Sequence, residues 1–139
     1  EVERYLSHAR RVLRDLGGRS AEGLRQGGLR VQPPVGGFYL FLDFGELSEK
    51  LRERGIADGR ALCERLLAET GVALLPGVAF GRPARELTAR MAFVDFDGGR
   101  ALAASEAIPL QEPLPDDFCE TCCHNVLEAT REIVRWVRG

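Results

Sequence analysis

Apolar residues recur at every third or fourth position near both ends of the chain, as they do along one face of an α-helix. Residues 2–16 follow this spacing with arginines between the apolar positions, which predicts an amphipathic helix that ends at Gly17-Gly18. Residues 17–30 are rich in glycine and arginine, and we expect a loop there with at most one helical turn. The apolar face of the final predicted helix consists of Val126, Thr130, Ile133, Val134 and Val137.

The middle of the chain contains short apolar runs separated by turn residues, a pattern typical of strands. The run Phe38–Phe44 is apolar on both faces, which predicts a strand that is covered on both sides or lies at a domain contact. Further strands are predicted at Leu29–Val31, Val72–Leu75 and Thr88–Phe96. The loop Pro76-Gly-Val-Ala-Phe-Gly-Arg-Pro83 follows the predicted strand Val72–Leu75.

Helix start and stop signals lie between these strands. Leu47 and Leu51 predict a short helix that ends at Gly55. Asp58 is a good N-cap for the next helix, and Gly71 is suited to the left-handed residue that follows its end. Asp97-Gly98-Gly99 is predicted to form a turn before a helix at 100–108.

The segment 109–117 contains three prolines and is expected to be a linker. Asp117 and Glu120 have the spacing of a capping box, with Asp in place of Ser or Thr, at the start of the final helix. The order of elements predicts an α+β fold, with a small antiparallel or mixed sheet of three to four strands covered by helices. Antiparallel pairing is favoured because the loop 76–83 can close a wide hairpin.

Composition favours one globular domain: the chain has 139 residues, of which 45% are hydrophobic and 29% charged. The net charge of −2 gives no support for a nucleic-acid or anionic-membrane partner. No apolar run approaches the roughly 18 residues that a membrane helix needs. Three of the four cysteines lie within five residues, unlike a disulfide scaffold, and this favours a reduced, cytoplasmic setting.

Arg90 is the first candidate for chemistry, because it interrupts an otherwise apolar strand. Strand alternation favours an arginine on the solvent face of an edge strand. The alternative is an anion-binding arginine, since a guanidinium matches a carboxylate through two parallel hydrogen bonds and a strand holds it rigidly.

The loop Pro76–Gly81 is the second candidate. Its two glycines flank Val78, Ala79 and Phe80, and they allow the backbone to approach a ligand. An ordinary surface loop with one buried phenylalanine is the alternative interpretation.

Cys119, Cys122, Cys123 and His124 form the third candidate. On one helix the three thiols would lie on a common face. Zinc requires four ligands, and no second pair of cysteines or histidines is present to complete a tetrahedral site. We therefore expect metal-free thiols at the start of a helix, and no metal site.

The motifs of familiar catalytic centres are missing. The sequence contains no GxSxG, HExxH, Walker loop or GxGxxG, and its only histidines are His8 and His124. From the residues alone, the chain is expected to contribute to a binding surface rather than to form a complete active site.

Four blocks of sequence together resemble a known family. In chain order they are Pro34-Val-Gly-Gly-Phe-Tyr-Leu-Phe, Asp58-Gly-Arg-Ala-Leu-Cys-Glu-Arg-Leu-Leu, Thr70-Gly-Val-Ala-Leu-Leu-Pro-Gly-Val-Ala-Phe-Gly and Leu87-Thr-Ala-Arg-Met-Ala-Phe-Val. They resemble the C-terminal small domain of class I/II aminotransferases, the pyridoxal-phosphate-dependent enzymes of the aspartate aminotransferase fold. The resemblance covers nearly the whole chain, most firmly residues 33–103, and it does not extend to 109–125.

The resemblance implies a role for two of the candidates. In that family an arginine in the strand after the Pro-Gly loop binds the α-carboxylate of the substrate, which implies Arg90. The loop residues Pro76, Gly77, Val78, Ala79, Phe80 and Gly81 are implied to line the active site. The family's cofactor is bound by a larger, preceding domain that also supplies the Schiff-base lysine. Lys50 is the only lysine here and is expected to be a solvated helix residue.

The sequence is therefore expected to be a fragment, residues 1–139 forming the small domain of a pyridoxal-phosphate aminotransferase whose large domain is absent. The parent would transfer an amino group between an amino acid and a 2-oxo acid, as a cytoplasmic homodimer; the fragment alone is expected to bind no cofactor and to be inactive. One alternative is a free-standing ligand-binding or interaction module that kept this fold. A C–S lyase or other relative, and a thiol or zinc module at 119–124, also remain open.

Overall fold

The computed structural model describes residues 1–32, 38–93 and 95–139. No helix in this part of the chain is long and apolar enough to cross a membrane. The elements in chain order are α1 (Val2–Gln26), β1 (Arg30–Val31), β2 (Tyr39–Asp43), α2 (Ser48–Glu53), α3 (Gly59–Thr70), β3 (Leu75–Pro76), β4 (Thr88–Ala92), α4 (Gly98–Glu106), α5 (Phe118–Cys122) and α6 (His124–Arg138). Single 3₁₀ turns occupy Gly45–Leu47 and Gly77–Phe80.

The strands form one four-stranded sheet in the order β1-β2-β4-β3, and every neighbouring pair is antiparallel. The expected α+β fold with a small antiparallel sheet is confirmed. Strands β3 and β4 form the expected wide hairpin, although both are shorter than predicted. The predicted strand at Thr88–Phe96 ends at Ala92, and Val94 lies outside the described residues, as does the start of the first family block at 34–37.

In the part of the chain that the structure describes, the helices cover one face of the sheet. Leu40 and Leu42 of β2 and Met91 of β4 are buried in the core, whereas Tyr39 on the opposite face of β2 is 49% exposed. Of the two expectations for Phe38–Phe44, cover on both sides of the strand by this part of the chain is wrong, whereas a contact with another domain stays a prediction. The second face of the sheet is left open beside the Pro76–Gly81 loop.

Helix α1 continues through the segment that was expected to be a loop, and it ends at Gln26 rather than at Gly17-Gly18. The glycines in this segment lie against the last helix. A Cβ built on Gly27 would lie 2.6 Å from Val134 Cγ2, and one on Gly23 would lie 3.9 Å from Thr130 Oγ1. The missing side chain of Gly27 therefore allows the end of α1 to lie close against α6, whereas a Cβ at Gly23 would make only an ordinary van der Waals contact.

Local capping signals define α3 and α4. Asp58 Oδ1 accepts a hydrogen bond of 2.8 Å from the Ala61 backbone N–H, and Gly71 ends α3 with a φ of +82°. Both predictions for this helix are confirmed. Asp97 caps α4 in the same way, through the Arg100 N–H at 3.0 Å. The predicted turn at Asp97-Gly98-Gly99 is therefore the cap and first turn of that helix.

The capping box predicted at the start of the last helix is not formed. Asp117 makes no side-chain hydrogen bond to the N-terminus of α5. Glu120 instead forms an ion pair with Arg131 of α6, at 2.8 Å. The predicted single helix is divided at Cys123, whose φ of −133° is not helical.

Helix α1 also fixes the end of α4 and the start of the 109–117 segment. The Arg11 guanidinium donates hydrogen bonds to the backbone carbonyls of Ser105 and Ile108, at 2.8 and 3.0 Å. The buried His8 has its Nδ1 2.8 Å from Ser105 Oγ. These contacts tie α1 to the C-terminal end of α4 and to the residues that follow it.

Candidate functional site

Arg90 lies in the middle of the sheet. Its strand, β4, is flanked by β2 and β3, so the expectation of an arginine on an edge strand is wrong. Phe41 is its register partner on β2 and Leu75 its register partner on β3. The side chain is half-buried and lies on the face of the sheet that the helices leave open. Backbone pairing on both sides gives this arginine a rigid base.

Three aromatic rings, which we call the aromatic cradle, lie beside Arg90: Tyr39 and Phe80 contact its guanidinium, and Phe41 contacts Phe80. The central carbon of the guanidinium is 4.3 Å from the centroid of the Tyr39 ring and 5.3 Å from that of Phe80. Phe80 meets Phe41 edge to face, with centroids 5.8 Å apart and planes at 78°. Among the described residues the guanidinium has no ion-pair partner, and its two aromatic contacts are cation–π contacts, which hold the cation without neutralising its charge.

The loop after β3 lies against β4 beside the cradle. Gly77 is buried, and a Cβ built there would lie 2.1 Å from Thr88 Oγ1, two residues before Arg90. Gly81 ends the 3₁₀ turn with a φ of +94°, a conformation that favours glycine. The ion pair between Arg82 and Glu86, at 2.7 Å, then joins the two ends of the following turn. This packing brings Phe80 to the guanidinium.

The remaining members of the loop are less buried. Val78 is half-buried, Ala79 is exposed, and no recorded contact joins either of them to the Arg90 guanidinium. The structure therefore brings together Arg90 and Phe80 from the predicted set. Pro76 contributes to the pairing of β3 with β4 opposite Ala89.

A guanidinium held in this way is suited to binding a carboxylate. Its N–H groups lie in the plane of the group, while the aromatic rings contact its faces. A carboxylate can therefore accept two parallel, charge-assisted hydrogen bonds from the edge of the guanidinium. An acidic side chain in the place of Tyr39 would compete with such a ligand, whereas an aromatic ring does not.

The cysteine cluster is divided by the break between α5 and α6. Cys119 and Cys123 are buried and Cys122 is half-buried, and the Cys119 thiol donates a hydrogen bond of 3.0 Å to Asp15 Oδ2. The hydrogen bond with Cys123, burial and the nearby Asp15 together raise the pKa of Cys119. Among residues 1–32, 38–93 and 95–139, no group of three or more potential ligands has an arrangement that could hold a metal ion. That these thiols bind no metal in solution stays a prediction.

A shallow groove of about 790 Å³ lies elsewhere, between α1 and α6, and includes none of the predicted site residues. Four arginines and four carboxylates line this groove, and some of them form ion pairs: Arg19 lies 3.7 Å from Asp116, and Arg131 lies 2.8 Å from Glu120. Positive and negative side chains are therefore balanced in number along the groove.

Tyr39 is the part of the site that sequence reasoning missed. It appeared only as one aromatic residue of an apolar strand, since its contact with Arg90 depends on the register between two strands that are far apart in sequence. The available signal was the alternation of Tyr39 and Phe41 on one face of β2. This signal indicates a shared face but not the strand that lies opposite.

Comparison with known proteins supports an aminotransferase fold. No family model matches the chain. The valine–pyruvate aminotransferase of Mycobacterium tuberculosis is 38% identical over 60 residues, 42% of this chain and 13% of that protein. A crystal structure of an aminotransferase from Mycobacterium tuberculosis aligns with 91% of this chain and 24% of its own, at a TM-score of 0.54 and 26% identity. The aspartate aminotransferase of Thermotoga maritima covers 89% of this chain at a TM-score of 0.55 and 22% identity.

The chain spans about a quarter or less of these relatives: 13% of the valine–pyruvate aminotransferase and 22 to 24% of the two solved structures. Its elements nevertheless account for nearly all of its own length in the structural alignments. The chain therefore has an aminotransferase-type fold, over a length that corresponds to about a quarter of the aminotransferase structures it resembles.

Proposed function

We propose that residues 1–139 are the C-terminal small domain of a pyridoxal-phosphate-dependent aminotransferase, and that Arg90 binds the substrate's α-carboxylate there. The parent enzyme transfers an amino group between an amino acid and a 2-oxo acid. Its other partners are the large domain of the same polypeptide and a second copy of the enzyme, in the cytoplasm. The loop Pro76–Gly81 lines the site beside the arginine.

The observation that carries this proposal is the setting of the Arg90 guanidinium. The guanidinium is half-buried on a rigid central strand and contacts two aromatic rings, and no carboxylate of the described residues pairs with it, so donors remain for an external anion. The name of the valine–pyruvate aminotransferase relative supports the reaction class, because pyruvate is a 2-oxo acid and valine is an amino acid.

The residues of this chain do not fit the cofactor itself. Pyridoxal phosphate is held in such enzymes through a lysine amine, and the one lysine here, Lys50, is exposed in the last turn of α2. Helix α2 is a short surface helix whose buried residue is Leu51. We infer that the large domain supplies the cofactor and its lysine. The domain formed by residues 1–139 contributes the carboxylate-binding group.

The test replaces Arg90 in the polypeptide that carries this domain together with its cofactor-binding domain. Arg90→Lys keeps the charge but loses the planar fork, and Arg90→Ala loses both. Removal of a hydrogen-bonded charged partner costs about 2 to 5 kcal/mol, or roughly 30- to 4,000-fold in kcat/KM for the amino acid. The amine that lacks the carboxylate is the comparison substrate, and its kcat/KM is expected to change little.

Arg52→Ala is the matched control, because Arg52 is an exposed arginine of α2. This substitution is expected to leave kcat/KM unchanged for both the amino acid and the amine. Wild-type kcat/KM for the amino acid in both Arg90 variants would make Arg90 an ordinary strand residue. A coding sequence upstream of Glu1 without a lysine-bearing, cofactor-binding domain would instead favour the free-standing module.

A further inference from the structure

We propose that Tyr39 and Phe80 are positioning residues that hold the Arg90 guanidinium in the orientation in which it meets a carboxylate. This inference rests on the proposed function of Arg90. The two rings act through the arginine, and the substrate carboxylate need not touch either of them.

The first step is that the two rings come from separate, independently fixed elements. Tyr39 lies on β2, where it pairs with Ala92, two residues beyond Arg90 on the neighbouring strand. Phe80 lies in the 3₁₀ turn that Gly77 anchors against Thr88. The Arg90 guanidinium therefore contacts one ring fixed by the sheet and another fixed by the loop.

The second step is the geometry of the contacts. The guanidinium carbon is 4.3 Å from the Tyr39 centroid, close enough for a cation to lie against the ring. Phe80 is farther, at 5.3 Å, and is itself held edge to face by Phe41. Tyr39 is therefore expected to have the larger effect on Arg90, with Phe80 as the secondary contact.

The third step is electrostatic. An arginine side chain is long and flexible, so an unsupported guanidinium would sample many rotamers before binding an anion. A neighbouring carboxylate would restrain such a group, but it would also occupy the donors and cancel the charge that the substrate needs. Aromatic rings restrain the cation through its faces and leave the in-plane donors available.

The phenol of Tyr39 is not needed for this role, because the ring face supplies the attraction. Tyr39→Phe therefore keeps the cradle, whereas Tyr39→Leu keeps an apolar residue of similar size and removes the π system. We expect Tyr39→Leu to lower kcat/KM for the amino acid by about 2- to 30-fold, the range that a cation–π contact supports. Tyr39→Phe is expected to restore most of that loss.

The experiment uses the polypeptide with both domains and two substrates, the amino acid and the amine without its carboxylate. It also measures the dissociation constant of propionate, a carboxylate without an amino group, by calorimetry. Tyr39→Leu should weaken propionate binding and lower the kcat/KM of the amino acid, while the kcat/KM of the amine stays unchanged. When Arg90 is already alanine, adding Tyr39→Leu should change neither kcat/KM for the amino acid nor the dissociation constant of propionate.

Equal losses for the amino acid and the amine would overturn the proposal, because they would indicate a structural role for Tyr39. An unchanged propionate affinity in Tyr39→Leu would also overturn it. If Tyr39→Leu fails to fold, as judged by circular dichroism, Phe80→Leu provides the same comparison. It should lower kcat/KM for the amino acid and weaken propionate binding by smaller factors, and leave kcat/KM for the amine unchanged. An Arg90→Ala variant with wild-type activity would refute the function of Arg90. If Arg90→Ala lowers kcat/KM for the amino acid and Tyr39→Leu does not, only the positioning role is refuted.

Discussion

Gly77 and Thr88 are so close that no side chain fits between them: a Cβ on Gly77 would lie 2.1 Å from Thr88 Oγ1 and 3.2 Å from its Cβ. Thr88 is buried and its hydroxyl has no hydrogen-bond partner among the described residues. The contact joins the loop that carries Phe80 to the strand that carries Arg90. A change at Gly77 is therefore expected to alter both stability and the geometry of the cradle.

Gly77→Ala should lower the free energy of unfolding by about 1 to 3 kcal/mol, the usual cost of forcing an additional carbon into a packed site. Thr88→Ala removes the atom that the new methyl group would meet. The double variant should therefore be less destabilised than the sum of the two single variants. Urea unfolding of the four proteins measures this coupling, and strict additivity would contradict the contact.

Two glycines provide a second prediction, because Gly18 inside α1 and Gly27 directly after it have opposite surroundings. Gly18 lies inside the helix with no atom within 4 Å of its added Cβ, whereas the Cβ on Gly27 would lie 2.6 Å from Val134. Gly18→Ala should stabilise the chain by about 0.5 to 1 kcal/mol, since alanine is the better helix former. Gly27→Ala should destabilise it by about 1 to 3 kcal/mol through overpacking.

Thermal unfolding followed by circular dichroism compares these two variants directly. Val134→Ala creates space opposite Gly27, so it should partly rescue Gly27→Ala. A destabilised Gly18→Ala would mean that residues 17–26 are not helical. Equal effects of the two alanine substitutions would argue against the close packing of α1 on α6.

The sequence contains the information for those elements that depend on neighbouring residues. Asp58 and Gly71 define the two ends of α3 through contacts within a few residues of each other, and both were identified without the structure. The glycines at 23 and 27 could not be assigned in this way, because their effect depends on α6, more than 100 residues away. Local propensity indicates a loop there, and packing overrides it.

The same distinction applies to the candidate site. Arg90 was identified from its contrast with an apolar strand and from the order of the sequence blocks around it. Its contact with Tyr39 depends on the register between β2 and β4, which no local pattern specifies. The predicted edge-strand position was wrong because strand order is likewise a property of the whole sheet.

A third prediction compares two aspartates at helix starts. Asp58 accepts the Ala61 N–H bond, whereas Asp117 makes no cap bond to α5. Asp58→Ala should cost about 1 kcal/mol of stability, and Asp58→Asn should retain most of it because the amide oxygen still accepts. Asp117→Ala should change stability by less than about 0.5 kcal/mol. Chemical denaturation measures all three, and a larger cost at Asp117 than at Asp58 would contradict the assigned caps.

The fourth prediction concerns the pH dependence of stability and Cys63. Burial, with a smaller contribution from Glu64, raises the pKa of the Cys63 thiol from its usual 9.0 to about 11. Below pH 9 the thiol is neutral in both the folded and the unfolded chain, so the full stability is present. Between pH 9 and pH 11 the unfolded chain loses this proton while the folded chain retains it, so stability falls as the pH rises, by up to about 3 kcal/mol.

The variant Cys63→Ala tests this prediction. Its cavity lowers the stability by an amount that does not depend on pH, but the variant should lack the thiol's part of the slope. The difference between the stability curves of the two proteins from pH 8 to pH 11 therefore measures the contribution of the Cys63 thiol. Cys122→Ala is the control, because Cys122 is only half-buried and its removal should leave most of the slope in place. Parallel pH curves for the wild-type chain and Cys63→Ala would mean that the thiol titrates at its ordinary value and is not desolvated in the folded state.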